Sequence, residues 1–167
     1  MTDTAAIDIL KSAILLEKRG KAFYGKISEQ TSIQAVKDFF GMMADEEDKH
    51  VQILSDQYRA YQTRGTFAQP SKDSGASTAF ASAVLTERLK REMTAASFEA
   101  AAIGAAMAME RGAIQLYARR AETAPGPEEK ALYQWLADWE AEHLAFLANV
   151  DRDLTEAIWN DNHFWPL

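Results

Sequence analysis

A chain of 167 residues with 47% hydrophobic content is long enough for one well-buried domain and too short for two full-sized ones. Its net charge of −7 argues against a nucleic-acid partner. The absence of cysteine excludes disulfides, thiolate zinc sites and rubredoxin-type iron centres, so any metal must be held by oxygen and nitrogen.

The first half of the chain predicts two helices, A and B. Helix A is expected from about Thr4 to Ser28, with a helical-period stripe of Leu10, Ile14, Glu17, Lys21 and Tyr24. Thr31 followed by Gln34 resembles a capping box, so helix B is expected to begin near Ser32 and to end near residue 63. Its stripe contains Val36, Phe40, Met43, Glu47, His50 and Leu54.

A long connection, approximately 64–95, separates helix B from helix C. A shorter helix is predicted within it by Phe80, Val84, Leu85 and Leu89. Such a length, about 30 residues, is what joining parallel neighbours in a helical bundle requires. The connection is therefore interpreted as a crossover.

The second half predicts helices C and D. Helix C is expected from about Ala96, with a stripe of Ile103, Met107, Glu110, Ile114 and Tyr117. Helix D is expected to begin near Pro127, a good first-turn residue, with a stripe of Tyr133, Leu136, Glu140, His143, Leu147 and Val150. Residues 151–167 form a tail that can add a short helix. The fold class is therefore an all-α four-helix bundle over residues 1–150, built from helix pairs at about 4–63 and 96–150.

The alanine-rich run from Ala100 to Met109 is too short to span a bilayer. The N-terminal MTDTAAIDILKSA lacks the charged and then apolar layout of a signal peptide. We therefore expect a soluble cytoplasmic protein with no membrane partner.

The two helix pairs repeat one another at an offset of 93 positions. Four polar residues recur with that offset: Glu17, Tyr24, Glu47 and His50 correspond to Glu110, Tyr117, Glu140 and His143. Two copies of a helix pair can face each other and pool their side chains. The repeat therefore predicts one shared site built from two halves.

Four carboxylates and two imidazoles interrupt stripes that the surrounding apolar residues mark as core. Burying one unpaired carboxylate costs several kcal/mol, roughly, so four in one core need compensation, which two divalent cations would supply. Residues three apart on a helix can reach a common point, as Glu47 and His50 can. One E-x-x-H motif alone is more often surface decoration, but two of the three histidines lie in repeated copies of it. The pattern predicts a di-metal site that favours iron or manganese, with zinc as a further occupant.

The chain resembles the rubrerythrin and ferritin-like di-iron proteins from about Ala6 to Val150. The segments that carry the resemblance are LLEKRGKAFY, ADEEDKHVQIL, AMERGAIQLY and LADWEAEHLAFL. The resemblance implies a ferritin-like bundle holding two iron ions. It implies that Glu17 and Glu110 are terminal ligands, that Glu47 and Glu140 bridge the metals, and that His50 and His143 each cap one metal.

The resemblance also implies a role for Tyr24 and Tyr117, which lie seven residues past the first Glu of their half, about two turns along the same face. Such tyrosines donate hydrogen bonds to the metal ligands in this family, and each hydroxyl here is expected to reach a bridging carboxylate. Ordinary core packing is the alternative for both side chains.

Two departures from the family pattern bear on function. Peroxide-reducing rubrerythrins resemble this chain but carry a further Glu three residues after the helix C carboxylate, where Ala113 stands here, and the matching position in helix A is Gly20. These small residues are expected to leave a pocket for dioxygen or peroxide. The cysteine-dependent rubredoxin-like domain is also missing, so electrons would come from a separate donor such as a rubredoxin-like protein.

The leading functional hypothesis is a non-haem di-iron oxidoreductase that reacts with hydrogen peroxide or dioxygen. The alternatives are a ferroxidase or iron-handling protein, and a non-catalytic metal-binding bundle. A homodimer is expected, and the long connection between helices B and C permits exchange of helices between chains. In that case each site would combine Glu17, Glu47 and His50 of one chain with the other three ligands of its partner.

Overall fold

Four long helices account for most of the part of the chain that the computed structural model describes, namely residues 4–68, 88–89, 92–93 and 97–160, without the side chains of 157–160. They are α1 (Thr4–Gln30), α2 (Gln34–Arg64), α3 (Phe98–Thr123) and α4 (Pro127–Asn160). They correspond to the predicted helices A to D. The predicted all-α four-helix architecture is confirmed.

Short loops join α1 to α2 and α3 to α4, so each pair forms a helical hairpin in which the two helices pack along one another. The helices α1 and α3 also contact each other. At the loop end of the second hairpin, the guanidinium of Arg120 donates to the buried carboxylate of Glu129, with Nε 2.8 Å from Oε1. This ion pair ties the end of α3 to the start of α4.

The helix boundaries differ from expectation in two places. The predicted capping box before α2 does not form, because the Thr31 hydroxyl accepts from the Ile33 amide and donates to Glu99, and no side chain caps the helix. The fourth helix continues to Asn160, so the expected boundary at Val150 falls inside α4. By contrast, α4 begins at Pro127 as predicted, and Gly65 ends α2 with a left-handed φ of 70°.

Most of the connection between α2 and α3 lies outside the described residues, including Phe80, Val84 and Leu85 of the predicted short helix. Leu89, the fourth residue of that prediction, is helical and fully buried. The aromatic end of the tail, residues 163–165, also lies outside the described part. Within the described residues, no helix combines the length and apolar character needed to cross a membrane.

The buried stripes of α2 and α4 are the predicted ones, whereas those of α1 and α3 follow small residues. Ile14 and Met107 are only partly buried and Lys21 is exposed, while Ala13, Gly20, Ala106 and Ala113 are buried. Small side chains at these positions let helices approach closely, and a hydrophobicity pattern gives them little weight. The buried faces of α1 and α3 are therefore rotated slightly from the faces that the sequence predicts.

Two hydrophobic clusters fill the bundle, one on either side of a polar layer. The first cluster is built around Tyr24, Phe39, Phe40, Met43, Ile103 and Leu147. The second cluster is built around Leu10, Leu54, Ala113, Tyr117, Tyr133 and Leu136. On every helix, the predicted ligands lie in sequence between residues of the two clusters, so the fold places them in one layer of the core.

Candidate metal centre

All six predicted ligands lie in the polar layer, and none is more than 3% exposed. The hairpin of α1 and α2 contributes Glu17, Glu47 and His50, and the hairpin of α3 and α4 contributes Glu110, Glu140 and His143. The two repeats in the sequence therefore form two halves of one site, which face each other across the bundle.

The six side chains form two overlapping groups of four. One group contains Glu17, Glu47, His50 and Glu140, and the other contains Glu47, Glu110, Glu140 and His143. Within each group, one ligand atom per residue lies within 4.8 Å of every other. Because Glu47 and Glu140 belong to both groups, they stand between two potential metal positions.

The imidazoles direct the same nitrogen towards the carboxylates. His50 Nδ1 lies 2.9 Å from Glu140 Oε1 and 3.3 Å from Glu17 Oε2. His143 Nδ1 lies 3.1 Å from the other oxygen of Glu140, Oε2. Glu140 therefore presents one oxygen to each histidine, which is the orientation that a bridging carboxylate needs.

The two tyrosine hydroxyls donate across the bundle. Tyr24 on α1 donates to Oε1 of Glu110 on α3, and Tyr117 on α3 donates to Oε1 of Glu17 on α1. The expectation that they reach the bridging carboxylates is wrong. Because α1 and α3 lie in contact, each hydroxyl meets the carboxylate of the opposite half that belongs to only one group of four.

Burial and mutual repulsion perturb the ionisation of this cluster. Burial, followed by the negative charge of Glu140, raises the pKa of Glu110 to about 11 and holds the pKa of Glu47 well above its usual value. Burial opposes a charged imidazole, yet the charge of Glu140 and its hydrogen bond raise the pKa of His50. Burial would raise the pKa of Glu140, but the charge of His50 and a hydrogen bond from His143 hold it below its usual range. The cluster therefore retains protons that bound cations would replace.

The donor set fits divalent cations. Oε2 of Glu47, one of the two shared carboxylates, is buried and has no hydrogen-bond partner among the described residues. Leaving such atoms unpaired is costly, and carboxylate oxygens with imidazole nitrogens are ligands that iron, manganese and zinc accept. The cluster thus meets the chemical requirements of a metal site.

A cavity of about 20 Å³ adjoins the cluster. It is lined by Gly20 and Ala113, by Leu16 and Met109, and by the four carboxylates of the site. A Cβ atom at Gly20 would lie 3.2 Å from Cδ of Glu47, so the absence of a side chain there leaves room for that carboxylate. The expected pocket is present, and its volume suits a molecule about as large as water.

Two buried neighbours of the cluster were not predicted from the sequence. Glu46 was expected on a solvated face, but it is only 2% exposed, and Lys49 lies 2.5 Å from its Oε1. The repeat contains the signal that could have found it, because Glu46 corresponds to the buried Trp139 at an offset of 93. Trp139 itself, whose packing the sequence left open, stands edge-on to His50 with ring centroids 4.5 Å apart.

The remaining acidic neighbours lie outside the cluster. Glu142, Asp45 and Asp138 are exposed, and Asp48 forms an ion pair with Lys21 at 2.5 Å, where the nearby ammonium lowers the pKa of the carboxyl. Glu99, considered from the sequence as an ion guide, accepts a hydrogen bond from Thr31 at 3.0 Å. Its observed contact is therefore one between helix ends.

The fold and the buried cluster together define a ferritin-like four-helix bundle with a candidate metal centre of carboxylates and histidines. The family model described as Rubrerythrin matches residues 8–151. The chain therefore belongs to the rubrerythrin family, as its sequence motifs predict. The comparisons with curated proteins and with solved structures gave no match.

Proposed function

We propose that the chain is a non-haem di-iron oxidoreductase that reacts with hydrogen peroxide or dioxygen. The observation that carries this proposal is the pair of four-residue groups sharing Glu47 and Glu140. Two shared carboxylates would hold two metal ions close enough to act on one small molecule, and a single structural ion would not need the second group.

Each half would supply equivalent ligands. Glu17 and Glu110 would be terminal, Glu47 and Glu140 would bridge, and His50 and His143 would each bind one metal through Nδ1. Iron is the favoured occupant, with manganese or zinc as other candidates. When bound, iron supplies one-electron redox steps and Lewis acidity.

The chain's own residues fix the geometry of the reaction. Tyr24 and Tyr117 donate to Glu110 and Glu17, which orients the terminal carboxylates and limits their rotation. The two hydrophobic clusters exclude bulk water from both sides of the polar layer. The cavity of about 20 Å³ beside Gly20 and Ala113 is also lined by all four carboxylates of the site, so a small molecule that entered it would meet the ligands directly.

These 167 residues contain no cysteine for a rubredoxin-type centre, which supports a proposal that electrons come from a separate donor. A separate one-electron donor such as a rubredoxin-like protein is the proposed partner. We also propose a homodimer, with or without exchange of helices between chains.

A ferroxidase or iron-handling role is the second candidate function. Ala113 and Gly20 favour it, because neither position offers the additional carboxylate that accompanies peroxide reduction in similar rubrerythrins. In this role the same ligands would bind Fe(II), and dioxygen would oxidise it before release.

Anaerobic titration with Fe(II), followed by separate challenge with dioxygen and with peroxide, tests both candidates. We expect two irons per chain and the visible absorption of a coupled di-ferric pair after oxidation. Faster oxidation by peroxide supports the peroxidase reading, and faster oxidation by dioxygen supports the ferroxidase. A stoichiometry well below two would refute the di-metal proposal, and two irons that react with neither oxidant would leave the non-catalytic metal-binding bundle.

A further inference from the structure

Two tryptophans on α4 lie beside His50 and extend towards the surface, with Trp139 nearer to the imidazole than Trp135, whose ring centroid is 6.4 Å from that of His50. Trp139 is 3% exposed and meets His50 edge-on, with centroids 4.5 Å apart and planes at 84°. Trp135 meets Trp139 at 4.7 Å and 79°, and it is partly exposed. Ring contacts of this kind connect the buried polar layer to solvent without a gap.

The pair breaks the twofold symmetry of the site. At the offset of 93 positions, Trp135 and Trp139 correspond to Met42 and Glu46 on α2. The ligands recur in both hairpins, whereas this pair of indoles occurs only in the second hairpin, from which both rings reach His50 of the first hairpin. The indole pair is therefore an addition to one hairpin and not part of the repeated ligand set.

The surroundings of Trp139 favour reduction of its oxidised indole by Trp135. Its indole Nε1 is buried and has no hydrogen-bond partner among the described residues. Among the described residues, no acceptor stands ready for the N–H proton of an oxidised indole at Trp139. Trp135 contacts Trp139 and is partly exposed. It can therefore donate an electron to the oxidised indole of Trp139 and then release a proton to solvent.

We propose that Trp139 and Trp135 form a one-electron path between the His50 side of the metal centre and the protein surface. The path rests on the proposed function. Reduction of one hydrogen peroxide to two waters consumes two electrons and two protons. When the metals supply only one electron, Trp139 supplies the second, and Trp135 then reduces Trp139. Trp135 loses its N–H proton to solvent, and one electron from the external donor, with one proton, restores it.

The test uses the full chain loaded with two irons and challenged with peroxide in excess over available electrons. Freeze-quench electron paramagnetic resonance detects indole radicals, and peptide mass spectrometry locates oxygen adducts. We expect a radical and adducts on Trp135 in the unaltered chain, and their loss in Trp139→Phe. In Trp135→Phe, no second indole can reduce the oxidised Trp139, so adducts are expected on Trp139.

The controls separate this path from direct attack by peroxide. Met42→Leu changes the repeat-related position on α2 and is expected to leave the radical and adducts unchanged. The zinc-loaded chain, which has no redox-active metal, is expected to show neither. Adducts on Trp135 that persist in Trp139→Phe, or their absence in an unaltered chain that consumes peroxide, would overturn the path alone. An iron-loaded chain that consumes no peroxide would overturn both the path and the peroxidase reading.

Discussion

Replacing Gly20 by alanine is expected to weaken metal binding, although the same replacement elsewhere in α1 is stabilising. A Cβ at Gly20 would lie 3.2 Å from Cδ and 3.3 Å from Oε1 of Glu47, whereas carbon atoms pack best at about 3.5–4.0 Å. Glu47 must therefore shift by a few tenths of an ångström. Because Glu47 belongs to both groups of ligands, the shift disturbs both metal positions.

The magnitude follows from comparison with Gly25, five positions later in the same helix. A Cβ at Gly25 would meet nothing within 4 Å, so Gly25→Ala is expected to raise the free energy of unfolding by about 0.5–1 kcal/mol and leave metal affinity unchanged. Gly20→Ala gains the same helix propensity but displaces a ligand. Disturbing the groups that orient ligands typically costs 10–100-fold in metal affinity, or about 1.4–2.8 kcal/mol.

Urea denaturation of the metal-free variants and anaerobic competition titration with Fe(II) measure the two quantities. Binding of both irons by Gly20→Ala as tightly as by the unaltered chain would contradict a displacement of Glu47. Equal weakening in Gly25→Ala would also contradict it, because the loss would then come from the helix and not from contact with Glu47.

Three further predictions concern the polar layer. Glu47→Ala or Glu140→Ala is expected to abolish tight binding of the metal pair, since either change removes a ligand from both groups; two irons retained in both variants would refute the bridging assignment. Tyr24→Phe and Tyr117→Phe each remove one hydroxyl with little change in shape, so titration is expected to show about 10–100-fold weaker metal binding while the circular dichroism spectrum stays unaltered. Unchanged metal affinity would indicate that these tyrosines serve only core packing. Burial raises the pKa of Glu110 to about 11 and raises that of Glu47, so the folded metal-free chain keeps protons that the unfolded chain releases above pH 4.5. Its free energy of unfolding is expected to fall as the pH rises from about 5 towards 9, as urea denaturation with a chelator would show; a level or rising value contradicts this.

Periodicity and repetition were sufficient to predict the four helices and the side chains that meet in the core. The stripes of α2 and α4 agree with the structure because large apolar residues mark them clearly. Those of α1 and α3 were less accurate, since Ala13, Gly20 and Ala113 are buried without contributing strongly to a hydrophobic pattern. Glu46 was misplaced because its position along one helix does not show which faces of that helix become buried in the folded chain.

By itself, the sequence determined the class of fold, the two half-sites and the six candidate ligands, because these depend on spacing within each helix. Only the tertiary structure decided which atoms meet across helices. In the structure, Tyr24 donates a hydrogen bond to Glu110, and Tyr117 donates one to Glu17. The side chain of Glu47 lies next to Gly20, and Trp139 stands edge-on to His50. The physical reason is that spacing along one helix specifies a face, whereas contacts between helices depend on how the two hairpins dock and rotate against each other.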